Sequence, residues 1–178
     1  MVLVVDRLHS RTWCFRVSTV NHASLHYFRS DKIFKHKLGT NASEDVLVFH
    51  EKDDTYSTFV YKEKSKKYLI IGSGSTLTTE YQILEANNPD GKFRVFQPRT
   101  RGLEYSISFY KDTFYILTNA DKATNFKLMT TPESATSKEN WTDLIPHRKD
   151  VLLEGIEIFK NYLVVEERSN GLNKIQIK

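Results

Sequence analysis

Cysteine is nearly absent: Cys14 is the single thiol in 178 residues. One cysteine builds neither an internal disulfide framework nor a cysteine-rich zinc site, and it suits a reducing compartment. Glycine and proline are scarce, at 7 and 4 residues, so collagen-like and low-complexity chains are excluded. Long apolar runs are missing too: no stretch approaches the roughly 18 residues a membrane span requires. Near the start, Asp6 and Arg7 follow only Val2 to Val5, which leaves no signal-peptide core. The expectation is a cytoplasmic protein with no membrane partner. A strong excess of one charge is also lacking, since 26 basic residues face 22 acidic ones and both signs are interspersed. The densest basic run, Lys62 to Lys67, sits where a hairpin tip is expected and reads as a solvated turn, so no nucleic-acid partner is expected.

Aromatic residues are plentiful, with 11 Phe, 9 Tyr and 2 Trp. Such side chains suit the half-buried surface of a pleated sheet. At 39% hydrophobic and 27% charged, the chain has the composition of an ordinary globular core.

From Asp54 to Pro98 the sequence reads as four short strands, Tyr56–Tyr61, Tyr68–Gly72, Glu80–Glu85 and Phe93–Gln97, divided by turns. Asn87-Asn88-Pro89-Asp90-Gly91 is the strongest of these turns, with proline fixing φ and glycine permitting positive φ. The same order recurs as Tyr105–Tyr110, Phe114–Thr118, Asn125–Met129 and Trp141–Ile145, closed by Pro146. Phe93 and Trp141 are 48 positions apart, and so are Pro98 and Pro146. A third copy contains Gly155–Phe159, Tyr162–Glu166 and Lys174–Ile177, with an Asn170-Gly171 hairpin signal and no fourth strand. Four strands in roughly 40 to 50 residues is the signature of a β-propeller blade. The fold class expected is therefore all-β, a partial propeller of about three to four blades, with repeat units at about 54–98, 103–146 and 153–178. Lys32–Leu38 and Asp45–His50 also read as strands, whereas residues 1–29 match nothing later and stand as a lead-in. Helix is expected nowhere except a turn within Pro132–Asn140.

Residues suited to catalysis are present without an arrangement that marks a site. Gly72-Ser73-Gly74-Ser75 has the wrong alternation for a nucleophile elbow and lacks the lysine of a phosphate loop, so it reads as a hairpin bend. His22 and His26 have a four-residue spacing that would place ligands together only on a helix, and the histidines read as surface or loop residues. Glu166 and Glu167, on opposite faces of a strand, do not form a carboxylate pair and read as solvated or tunnel-lining. No metal or cofactor is expected. The distinctive feature is charge at the starts of repeat units: Arg99, Arg101 and Glu104 in one, His147, Arg148, Lys149 and Glu154 in the next. Shared placement suggests one functional face, or salt bridges between blades.

Several strings carry a resemblance: KIFKHKLGT at 32–40, DVLVFHEKD at 45–53, GSGSTLTT at 72–79, NPDGKFRVFQPRTR at 88–101, GLEYS at 102–106 and IPHRKDVLLEG at 145–155. From about Ser30 onward the chain resembles the propeller domain of the oligopeptidase B (protease II) branch of the prolyl oligopeptidase family of serine peptidases. The resemblance implies a seven-bladed propeller capping an α/β-hydrolase domain, with cleavage of short peptides after Lys or Arg. The family's Ser, Asp and His belong to the hydrolase domain, so none is carried onto this chain, which is expected to be inactive alone. Arg101, Glu104, His147, Arg148 and Glu154 lie in the matching strings and become candidate interface or tunnel residues. Implied partners are peptide substrates and a catalytic domain absent here. Uncovered blade flanks predict self-association. The alternative is a free-standing module that binds a peptide or protein.

Overall fold

A computed structural model describes residues 3–4, 13–22 and 27–178, with side chains placed from Trp13 to Ser18 and from Arg29 onward. Among the described residues, fifteen strands make four antiparallel meanders. The first joins β1 (Leu3–Val4), β2 (Trp13–His22), β3 (Tyr27–Lys37) and β4 (Val46–His50). The second joins β5 (Ser57–Lys62), β6 (Tyr68–Gly74), β7 (Thr79–Glu85) and β8 (Arg94–Val95). The third joins β9 (Tyr105–Tyr110), β10 (Thr113–Thr118), β11 (Lys127–Pro132) and β12 (Thr142–Ile145). The fourth has three strands: β13 (Leu152–Ile158), β14 (Leu163–Ser169) and β15 (Leu172–Ile177). This is the expected all-β, blade-like architecture.

The backbone divides into two compact units, residues 1–76 with 80–96, and residues 77–79 with 97–178. In the first, Phe15, Val17 and Ile33 pack with Val60, Leu69, Ile71 and Leu84. In the second, Leu128, Ile145, Leu153 and Val165 form the core, with Leu117 and Ile156 against it. Each such side chain contributes about 1.5–3 kcal/mol by leaving water, which makes the cores the main source of stability.

Landmarks that set the repeat period turn out to anchor outer strands. Phe93, just before β8, meets Phe15 edge-on at 5.9 Å between ring centroids. Trp141, just before β12, lies 5.5 Å from Tyr105, and its Nε1 donates to the Thr136 carbonyl at 2.8 Å. Asn170 and Gly171 form the two-residue β14–β15 turn, both with positive φ as a type I′ turn requires.

Four features differ from the sequence reading. The boundary placed after residue 29 falls inside β3, because β2 and β3 belong to a full meander; bulges at Ser18/Thr19 and Ile33/Phe34 shift the alternation that would have exposed it. Gly72-Ser73-Gly74 is strand, not bend: a Cβ on Gly72 would lie 2.2 Å from the Phe59 ring, and Ser73 is buried. Glu167 is buried, not solvated, while Glu166 is exposed, as alternation demands. Finally, 3-10 turns occur at Ala42–Glu44 and Ala120–Lys122 as well as at Lys138–Asn140 inside the expected segment.

Candidate functional site

Three loops of the second unit meet at one end of the third and fourth sheets: 97–104 leading into β9, 119–126 between β10 and β11, and 146–151 leading into β13. Two asparagines stitch them together. Asn119 Nδ2 donates to the Gly102 carbonyl at 3.0 Å and to Glu104 Oε1 at 3.2 Å, while its Oδ1 accepts the Glu104 N–H at 2.9 Å. Asn125 Nδ2 donates to the carbonyls of Arg148 at 3.2 Å and Lys149 at 2.8 Å, and the Leu153 N–H donates to the Asn125 carbonyl at 3.0 Å. Loop carbonyls that lack a strand partner are thereby satisfied, as exposed turns beside a core require.

The candidate residues fall on this rim in two groups. Arg101 is exposed and has no side-chain partner among the described residues; it lines an open recess of about 330 Å³ with Thr100, Asn119, Asp121, Lys122 and Lys138. Glu104 is half-buried against Asn119. In the other group, Arg148 grips the buried carboxylate of Glu167, which also accepts from Gln176 Nε2 at 2.8 Å. Glu154 pairs with Arg168 at 2.7 Å. His147 is half-buried, and its Nε2 has no partner among the described residues. These ion pairs lie within the fourth sheet and its leading loop; they do not bridge the third and fourth sheets.

Asp121 organises the recess. It accepts from Lys138 Nζ at 2.8 Å and Lys127 Nζ at 2.9 Å, and Lys127 also reaches Asp143 at 2.9 Å. The hydrogen bonds from Lys138 and Lys127 hold the Asp121 carboxyl below its usual range. For Lys127, burial alone would lower the ammonium's pKa, but the bonds to Asp143 and Asp121 outweigh it and raise it. Among the described residues, Arg101, Lys122 and Lys149 are cations of this rim without a side-chain partner.

No group of three or more His, Cys, Asp or Glu among the described residues could hold a metal ion. Cys14 lies opposite His36 across β2 and β3, and His36 Nδ1 meets Asp45 at 2.6 Å, an arrangement that superficially resembles a thiol triad. The thiol is buried, however, and burial pushes its pKa up, the opposite of what a nucleophile needs. His36 is therefore a strand histidine held by Asp45, not a loose surface group. His9 and His26 lie outside the described residues, and only the backbone of His22 is described.

Residues 11–178 match the family model for the prolyl oligopeptidase N-terminal beta-propeller domain. The chain belongs to the prolyl oligopeptidase family. Among relatives in that family, "Dipeptidyl aminopeptidase BI" of Pseudoxanthomonas mexicana is 40% identical, over 83% of this chain and 20% of the relative. "Protease 2" of Moraxella lacunata is 27% identical over 94% of this chain and 24% of its own. Oligopeptidase B from Leishmania major superposes with a TM-score of 0.88 and 32% identity, covering 99% of this chain and 24% of that one. The chain thus spans about a fifth to a quarter of the length of these prolyl oligopeptidase relatives. Asn119 and Asp121 escaped the sequence reading, which saw only a polar turn there; Asn125 was read as the start of a strand that begins at Lys127. Glu167 was named without its burial or its Arg148 partner, because strand parity separates it from Glu166 and does not say which of the two faces inward.

Proposed function

We propose that this chain is the substrate-gating propeller portion of a serine oligopeptidase that cleaves short peptides after Lys or Arg. Its rim of loops 97–104, 119–126 and 146–151 meets the α/β-hydrolase domain or lines the substrate tunnel. The observation that carries this reading is the gathering of Arg101, Glu104, His147 and Arg148 onto one stitched rim, with Glu154 just inside β13. Arg101, with no side-chain partner among the described residues, contacts the partner or the peptide. Arg148 and Glu154 are positioning residues, committed to Glu167 and Arg168. The selectivity for Lys or Arg follows from the resemblance to oligopeptidase B and protease 2, and a cytoplasmic location accords with it. Among the described residues no helix is long and apolar enough to cross a membrane.

A second reading is favoured by the 40% identity to a protein named a dipeptidyl aminopeptidase, which would release dipeptides from an amino terminus. The test is a hybrid in which this chain replaces the corresponding quarter of the Leishmania major enzyme. A folded hybrid, checked by its thermal transition, hydrolyses an N-terminally blocked dibasic fluorogenic peptide, and R101E raises KM. A folded hybrid with no activity overturns the assignment. One that cleaves only unblocked dipeptidyl substrates supports the second reading.

A further inference from the structure

The recess that Arg101 lines is drawn wholly from residues 100–138, within the third sheet and the loop that leads into it. Its floor is apolar, since Leu103 and Ala120 are buried, at 6% and 2% exposure. Its walls are held by hydrogen bonds. Asn119 commits its whole amide to Gly102 and Glu104, the Gly102 N–H donates to Thr78 Oγ1 at 3.0 Å, and the Ala120 N–H donates to Thr118 Oγ1 at 3.1 Å. Lys122 lines the recess with φ of 63°, a left-handed conformation that lysine enters only under strain, and strain of this kind gathers at ligand-binding positions. Three cations, Arg101, Lys122 and Lys138, face one carboxylate, Asp121. That carboxylate is occupied on both oxygens, Oδ1 by Lys138 at 2.8 Å and Oδ2 by Lys127 at 2.9 Å. Among the described residues the charges of Arg101 and Lys122 are therefore unanswered, above an apolar floor. Such a surface repels a metal cation and suits an anion that carries a small apolar neighbour.

We propose that this recess holds a carboxylate of a peptide chain. The planar guanidinium of Arg101 donates a pair of hydrogen bonds to it, Lys122 supplies a point charge, and the carbon atoms beside the carboxylate rest against Leu103 and Ala120. The carboxylate belongs to a chain terminus or to an Asp or Glu side chain, and the recognition chemistry is the same for both. This inference deepens the reading of the rim as a surface that touches peptide or partner, and it rests on that reading for the ligand being a peptide.

The test is an NMR titration of the isotope-labelled 178-residue chain. N-acetyl-Ala-Ala-Ala with a free carboxylate is expected to shift the Arg101 side-chain N–H signal and the backbone signals of residues 101–103 and 119–122. The same tripeptide as its C-terminal amide is expected to shift none of them. N-acetyl-Ala-Glu-Ala amide separates the two sources: the same shifts mean that any peptide carboxylate serves, and their absence means that the recess takes a chain terminus. Arg101 and Lys122 are exposed, so R101Q and K122Q leave the rest of the spectrum in place, and each weakens binding about 5- to 10-fold. K64Q removes the same charge from the β5–β6 hairpin tip and leaves binding unchanged. Three results overturn the proposal: an amide that binds as tightly as the acid, inorganic phosphate that occupies the recess when the acid does not, or K64Q weakening binding as much as R101Q. An acid that shifts nothing in the recess at its solubility limit overturns it as well. Because the chain alone carries this measurement, such a failure leaves the hybrid-enzyme test of the gating reading to be decided separately.

Discussion

Arg148, in the loop leading into β13, closes on Glu167 of β14, a carboxylate only 2% exposed that is also held by Gln176 at 2.8 Å. Removing Arg148 leaves a buried carboxylate without its cation, which is costlier than removing both partners. R148A is expected to lose about 3 kcal/mol, lowering Tm by roughly 6–12 °C for a domain of this size. The double variant R148M/E167L is expected to lose less. Thermal and urea denaturation of both variants check the difference.

Asn125 donates from one amide to two carbonyls of that same loop. N125A is expected to cost about 1–2 kcal/mol and to speed hydrogen exchange in residues 146–151 more than in β14. Uniform acceleration across the sheet would mean that Asn125 supports the fold as a whole and does not specifically hold the rim.

Asp45 gives the chain an acid limit. Burial pushes its carboxyl up, but the hydrogen bonds from His36 and Arg16 outweigh that and hold it below its usual value. A carboxylate depressed on folding contributes stability above its unfolded pKa of about 3.9 and loses it as pH falls through the folded value. Asp121 behaves likewise because of Lys138 and Lys127. Stability is expected to fall steeply below about pH 4, and less steeply in D45N, as followed by urea midpoints against pH.

Tyr61 and Tyr81 both contribute to the alkaline limit, since burial raises the hydroxyl of Tyr81 to about 12 and that of Tyr61 further. Raised from about 10, these groups contribute nothing to pH dependence below the unfolded pKa, and folding loses stability as pH climbs toward the folded values. Absorbance titration at alkaline pH is expected to reveal a tyrosinate fraction that appears late, with unfolding, and to lose part of it in Y81F.

Lys111 and Asp112 form the β9–β10 turn with φ of 46° and 63°. Such values suit glycine, asparagine and aspartate and strain a lysine by about 1 kcal/mol. K111N is expected to raise Tm by roughly 2–4 °C per kcal/mol recovered, measured by calorimetry.

The fold was readable where strand parity stays regular. The run Tyr105–Tyr110 alternates cleanly, and the structure returns the same bounds. In β2 and β3 the bulges break parity, so the first meander did not align with the later repeat. Gly72 misled because a small residue signals either a bend or a close approach, and only the Phe59 ring decides between them. For the site, charge at the starts of repeat units pointed to loops that the structure gathers at one rim. What fastens those loops comes from residues distant in sequence, such as Asn125 with Lys149 and Arg148 with Glu167, and local pattern carries no trace of such pairs.

We propose that this chain, which belongs to the prolyl oligopeptidase family through its propeller domain, does not cleave peptides by itself. The most direct measurement is turnover of a dibasic fluorogenic peptide by the purified chain, with and without a serine-reactive fluorophosphonate. The account predicts no turnover and no labelled serine. Cleavage that the reagent abolishes, with the label on a serine of this chain, would contradict it.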